Sequence, residues 1–477
     1  MSKSLTASTK WNSPTKKTII SESLPTTSKR IILCCDGTWQ SSTSLRPESS
    51  NVTRLCRLIA RGGSGRHKEH DGAQNESSWT QVVYYHGGVG SGRMSWWSRI
   101  VQGSLGVGFM EELIAAYNFI VNNYCEGDEL FFFGFSRGAH TVRSVAGMIC
   151  DIGVLTPDSM PYFPEIFKIY QGKPTGTPIE QISAWNDLCT KYPQIGVVHD
   201  REGVIIQVIG VWDTVGALGI PVEGLFSFSR FRKPYEFLNT RLEPQVKHAY
   251  QALALDEERA AYSPTLWTWP KTSPESQPRT YFCQTWFPGA HINIGGGGQG
   301  TDALSNITLA WMLDRIQPYL AIEWDRVKQE FQRSQGSVDT LYGSGPIQQQ
   351  HWLWGLFGSK VRTPGAYHDN TEYTVERIHP SVHFRQQRII ERKNDKEQEY
   401  KPKSLNDRQR ILVVGPQRNG FQWVNRDSKH YLWEFELGSL PKARSAERML
   451  IEISSRTEAW AVEVLEQIDD GWKEGAE

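Results

Sequence analysis

Glu129-Leu-Phe-Phe-Phe-Gly-Phe-Ser-Arg-Gly138 decides how this chain is read. The apolar run Leu130–Phe133 does not alternate, the pattern of a strand buried on both faces. Beyond Gly134 and Gly138, the stretch 137–150 sets Val142, Val145, Ala146 and Ile149 at i, i+3, i+4 and i+7, one apolar helical stripe. A buried strand, a Gly-x-Ser-x-Gly turn and a helix is the layout of a nucleophile elbow. The turn leaves no room for side chains at 134 and 138, and glycine fills both. Ser136 then stands at a helix N-terminus, which favours developing negative charge. The competing reading is a tight strand–helix turn in which Ser136 only caps the helix.

Working outward, Arg30–Cys35, Gln81–Tyr85, 204–212 and 280–287 read as further buried strands. Helices are expected over 51–61, capped by Asn51 or Thr53, over 107–123, and over 301–319. Apolar strands alternating with helices predict an α/β fold, an α/β-hydrolase-like and mostly parallel sheet flanked by helices over 30–321. Residues 1–29 are rich in Ser, Thr and Lys, lack the apolar core of a secretory signal, and read as a disordered tail; a mitochondrial presequence is the weaker alternative. Residues 322–477 read as a C-terminal extension or small β-rich module, with strand-like pieces at 410–414 and 431–435.

Balanced charge (52 Lys+Arg, 52 Asp+Glu) gives no electrostatic footprint for nucleic acid. No apolar run approaches the ~18 residues of a membrane span. Seven cysteines without paired spacing read as reduced thiols, so a cytoplasmic protein is expected. Oligomeric state is not legible.

A serine hydroxyl is a weak nucleophile at neutral pH. It needs a histidine to take its proton and a carboxylate to fix that histidine's tautomer. Ligand sites in such sheets lie beyond the carboxyl ends of the strands. Downstream of Ser136, Asp213 follows the 204–212 strand and His291 follows the 280–287 strand, in the order Ser, Asp, His. Asp213 as a turn residue and His291 as a structural loop histidine are the alternatives. His140, one turn into the elbow helix, and His248, read as lying within a helix, are rival bases; Asp256 and Glu257, after a helical-looking 252–256, are rival acids. Oxyanion donors are expected from the backbone of Arg137 and from the Asp36-Gly37-Thr38 turn, which could also be an Asx turn with no chemical part. Asp36, Gly88 and Gly90 are candidate pocket residues. The 86–92 glycine loop lacks the spacing of a phosphate or dinucleotide loop, and His67-x-x-His70 is a poor metal pair, so neither cofactor nor metal is expected.

Leu33-Cys-Cys-Asp-Gly-Thr-Trp39, Tyr85-His-Gly-Gly-Val-Gly-Ser-Gly92, Gly134–Gly138, Val211-Trp-Asp-Thr-Val-Gly216, Ala252–Glu257 and Trp286-Phe-Pro-Gly-Ala-His291 together resemble an α/β-hydrolase family. Its best-known members are the catalytic domains of bacterial type VI secretion phospholipase effectors. The resemblance covers residues 30–320 and implies a Ser–Asp–His triad at Ser136, Asp213 and His291, with acyl esters of phospholipids as substrates. The family usually continues past its histidine as Ser-Asp-Val-Gly-Gly-Gly, whereas this chain reads Ile292-Asn-Ile-Gly-Gly-Gly297. A second acid beside the base is therefore altered. The expected activity is hydrolysis of a small-molecule or lipid acyl ester. Leu225–Phe231 and Trp352–Phe357 are read either as a lid or lipid-facing surface, with peripheral membrane contact, or as ordinary core. A scaffold on the same fold, and a thioesterase or amidase, are the alternatives.

Overall fold

The chain is described here from a computed structural model, over residues 28–37, 49–61, 79–88, 107–174, 177–199, 203–215, 242–243, 245–271, 280–298, 300, 302–334, 342–348, 358–367, 372–388, 390–393, 396–414, 420–428, 430–434 and 445–454. The stretches 225–231 and 352–357, and Thr38, His67, His70 and Gly90, lie outside the described residues.

One ten-stranded sheet organises the molecule. Its strands in chain order are β1 (Lys29–Cys35), β2 (Thr80–His86), β3 (Glu129–Phe135), β4 (Ile206–Trp212), β5 (Val246–Ala254), β6 (Tyr281–Phe287), β7 (Glu376–Ile378), β8 (Arg408–Val413), β9 (Gly420–Asn425) and β10 (Tyr431–Glu434). The spatial order is β2-β1-β3-β4-β5-β6-β7-β10-β9-β8. Every neighbouring pair from β2 to β10 is parallel, and β9 and β8 then run antiparallel. The strands carried by residues 376–434 thus continue the sheet begun by the first half of the chain. The α/β architecture is as expected from the sequence.

The strand period of two splits the core cleanly. Ile31, Leu33, Leu130 and Phe132 face one side, where α2 (Val107–Asn123), α3 (Arg137–Ile152) and α4 (Phe163–Gly172) pack. Ile32, Cys34, Phe131 and Phe133 face the other, against α1 (Asn51–Leu58), α5 (Asp302–Ile316), α6 (Trp324–Ser334) and α8 (Ala446–Ser454). A third cluster around Trp286, Ile378, Val382 and Trp423 seats α7 (Ser381–Arg388) and the later strands. With apolar residues on both faces, these strands lose the alternation of a half-exposed sheet, which is why 130–133 reads as an unbroken run.

Two readings need correction. The stretch 246–254 is β5, not a helix, so His248 sits in a strand with its ring 4.5 Å from that of Tyr319. Ala-Leu-Ala-Leu carries high helix propensity, but parallel pairing to both β4 and β6 overrides it. Helix α1 is capped by Ser50, whose hydroxyl accepts from Thr53 N, and not by Asn51 or Thr53.

Candidate active site

The carboxyl ends of β1, β3, β4, β5 and β6 converge on one place. At the end of β3, Ser136 adopts φ 58°, ψ −120°, a strained conformation for a residue with a side chain. Its N–H bonds Trp212 O of β4 at 3.0 Å, which ties the turn to the neighbouring strand. The flanking glycines are obligatory on contact grounds. A Cβ at Gly134 would lie 2.6 Å from Ala139 Cα, and one at Gly138 2.2 Å from Cys35 O. The elbow helix is pressed onto the end of β1.

Asp213 closes β4 with φ 41°, its N–H bonded to Ala252 O at 2.7 Å. His291 opens a short helical turn, His291–Gly295, after β6. The structure brings the three side chains together. His291 Nδ1 is 2.6 Å from Asp213 Oδ2, and His291 Nε2 is 2.8 Å from Ser136 Oγ. With Nδ1–H donated to the carboxylate, Nε2 is left to accept the serine proton. The imidazole is buried between Phe135, ring centroids 4.8 Å apart, and the edge of Tyr262 at 4.9 Å.

Asp213 is fully buried. Burial pushes its carboxyl up, but the Arg362 charge and the hydrogen bonds from His291 and Arg362 outweigh this and hold it well below the usual carboxylate range. Arg362 forks onto it: Nη1 to Oδ1 at 2.6 Å and Nη2 to Oδ2 at 2.9 Å. Nothing in the sequence around 362 signals this residue; it comes from an aperiodic stretch 149 positions from its partner.

The rival acids turn out to brace the backbone around His291. Asp256 Oδ2 accepts from Gly289 N at 2.7 Å and from the Tyr400 hydroxyl at 2.7 Å. Glu257 Oε2 accepts from His291 N at 3.2 Å, and Glu257 is paired with Arg259, whose guanidinium lies over Tyr262. The imidazole nitrogens themselves meet Asp213 and Ser136. Asn293, where the resemblance expects an aspartate, accepts from Ala290 N and Gln348 N and donates to Pro346 O, each at 3.1 Å. A carboxylate there would lose the donor and face the carbonyl.

His140 lies in α3 against Phe109, with burial and then Arg143 lowering it to about 3, so it is neutral. Of the expected oxyanion donors, Arg137 is the first residue of α3, and Gly37 runs so close to Ser136 that a Cβ on it would sit 3.2 Å from Ser136 Cβ, but its N–H is taken by Asp36 Oδ1 and is not free for an oxyanion. Asp36 is buried. Its carboxylate collects Gly37 N at 2.8 Å, Thr53 Oγ1 and Tyr85 OH at 2.9 Å each, and the Ser50 hydroxyl. The side chain is thus directed into that cluster and holds the N–H of the next residue, Gly37. Gly88 is buried just past β2. Among the described residues no His/Cys/Asp/Glu group is arranged to hold a metal, and no helix is long and apolar enough to cross a membrane.

Residues 29–315 match the family described as the catalytic domain of T6SS phospholipase effector Tle1-like proteins. An uncharacterised protein of Saccharomyces cerevisiae, YEL023C, is 24% identical over 253 residues, half of this chain and 33% of that protein, so the chain spans about a third of this curated relative's length. Two solved structures align at 17% identity: the Tle1 effector bound to the VgrG spike of the type VI secretion system (TM-score 0.31; 57% of this chain, 52% of that one) and an uncharacterised Pseudomonas aeruginosa protein (TM-score 0.35; 61% and 45%).

Proposed function

We propose, from the premise that the chain belongs to the Tle1-like phospholipase-effector catalytic-domain family, that it is a serine hydrolase acting on the carboxylic ester of a lipid. The observation that carries this is the hydrogen-bonded line Ser136 Oγ–His291–Asp213, with spacings of 2.8 and 2.6 Å, at a strained elbow.

In this reading His291 Nε2 takes the Ser136 proton as Oγ attacks the ester carbonyl carbon. The carbonyl oxygen becomes an oxyanion facing the N–H of Arg137 at the start of α3. Collapse breaks the bond to the leaving oxygen, which takes the proton from His291, and leaves an acyl-enzyme. Water repeats the sequence and releases the acid. Asp213 stays ionised throughout and fixes the ring orientation. The lipid as substrate rests on the family's phospholipase members.

The test is hydrolysis of short- and long-chain acyl esters and of phospholipid vesicles by wild type and Ser136→Ala. Turnover in wild type and its loss in the variant are expected. Equal residual rates in the two would sink the assignment of Ser136.

A further inference from the structure

The carboxylate of Asp213 is fully subscribed. Oδ1 accepts from Ala254 N at 3.0 Å and Arg362 Nη1 at 2.6 Å; Oδ2 meets His291 Nδ1 at 2.6 Å and Arg362 Nη2 at 2.9 Å. Arg362 cannot follow the carboxylate if it turns, because Nη1 also donates to Ala254 O at 2.9 Å and Nη2 to Tyr262 O at 2.8 Å. The guanidinium is therefore riveted to the end of β5 and to the turn whose Tyr262 ring packs on His291. It is nearly inaccessible to water. Its position also lies beyond residues 29–315, the extent of the family match.

We infer that Arg362 is a positioning residue for the Ser136–His291–Asp213 line, so that the segment after the matched domain supplies a working part of the site; this rests on the hydrolase reading above. Two effects oppose each other. The fork fixes the plane of the carboxylate, so that a single oxygen faces Nδ1. Its charge also neutralises Asp213, which weakens the pull of the carboxylate on an imidazolium. Orientation dominates near neutral pH, since a misplacement of about 1 Å at a reacting group costs about 100-fold. The charge effect shows instead in the pH profile: a bare buried carboxylate would hold His291 in its protonated, unreactive form to higher pH. The other ionisable groups facing Arg362 are Glu257, itself held by Arg259, and Tyr367.

The experiment follows the rate of fluorophosphonate labelling of Ser136 against pH in the full chain, with wild type, Arg362→Met, Arg362→Lys and Ser136→Ala as blank, and with melting curves for each. Arg362→Met should label about 100-fold more slowly near pH 7.5, with its acidic limb moved up by a unit or more. Arg362→Lys, which keeps the charge without the fork, should label about tenfold more slowly with the limb in place. A folded Arg362→Met with the wild-type rate and profile overturns the inference. So does equal slowing in both variants with no change of profile, the sign of general damage. If Arg362→Met does not fold, Arg362→Lys decides: slower labelling with a wild-type melt supports the inference, and a wild-type rate overturns it. Absence of labelling in wild type itself overturns the hydrolase reading, and this inference with it.

Discussion

Gly138→Ala tests whether the contact between α3 and β1 sets the chemistry. The added Cβ would stand 2.2 Å from Cys35 O and 2.5 Å from Asp36 O, both backbone atoms that no rotamer change can move aside. Restoring ordinary contact needs about 1 Å of separation between helix and strand, an overpacking cost of roughly 1–3 kcal/mol. The gain in helix propensity from Gly to Ala offsets at most about 1 kcal/mol of it. Ser136 heads the helix and Cys35 ends the strand, so the same displacement moves Ser136 away from the end of β1 and its Oγ out of line with His291 Nε2, now 2.8 Å away. A fall of about 100-fold in kcat is expected. Gly172→Ala, at the end of α4 with nothing within 4 Å of the new Cβ, is the control and should leave rate and stability unchanged or slightly improved. Urea unfolding followed by tryptophan fluorescence gives the stability; ester hydrolysis gives the rate. A Gly138→Ala protein with wild-type midpoint and wild-type kcat would refute the idea that this contact holds the elbow.

Asp213→Asn should lower kcat by on the order of 10³–10⁴, through loss of the tautomer-fixing carboxylate, and should cost about 3–5 kcal/mol in urea unfolding because Arg362 is left buried and uncompensated. Unchanged stability would show that the ion pair is not buried as described. Glu257→Gln should keep the fold but lower kcat about tenfold, as the His291 backbone N–H and Arg259 lose their common anchor; a wild-type kcat would remove Glu257 from the support of the base. Asp314 receives Ser445 OH, Ala446 N and Glu447 N and so docks α8 on α5. Burial, and for Asp314 the nearby Glu447 charge, raise both carboxyls, each to about 7. A raised carboxyl holds its proton in the folded state and releases it on unfolding above about pH 4, so this stability is complete below that pH and fades as pH rises through 7. The urea midpoint should therefore fall from pH 5 to pH 8, and Glu447→Gln should flatten the slope. A midpoint flat over that range would count against protonated carboxyls at the α5–α8 contact.

What was legible in the sequence is what is local. The strand–turn–helix at 129–152 depends on neighbours within a few residues, and the elbow, Asp213 and His291 all stand where the strand pattern puts them. Asp256 and Glu257 were visible as acids near the right place, but their task, holding Gly289 and the His291 backbone, depends on how β5 and β6 pair. The helical look of 252–255 was a conflict between propensity and position that only the full sheet resolves. Arg362 carries no periodic or motif signal, because its partners lie on a strand and a turn about a hundred or more residues earlier.

The bracing of Asp213 by Arg362, of Asn293 by Gln348 and of Asp256 by Tyr400 also fixes an order of events during synthesis. Ser136, Asp213 and His291 all leave the ribosome before any of these supports. Between His291 and Tyr400 lie about 110 residues, on the order of ten seconds of translation. Through that interval a nascent chain carries Ser136, Asp213 and His291 without the groups that hold Asp213 and the turns around His291 in place. On the hydrolase reading, alignment of the three side chains is then a late event, close to the completion of the sheet, and a product truncated before Arg362 carries them without that support.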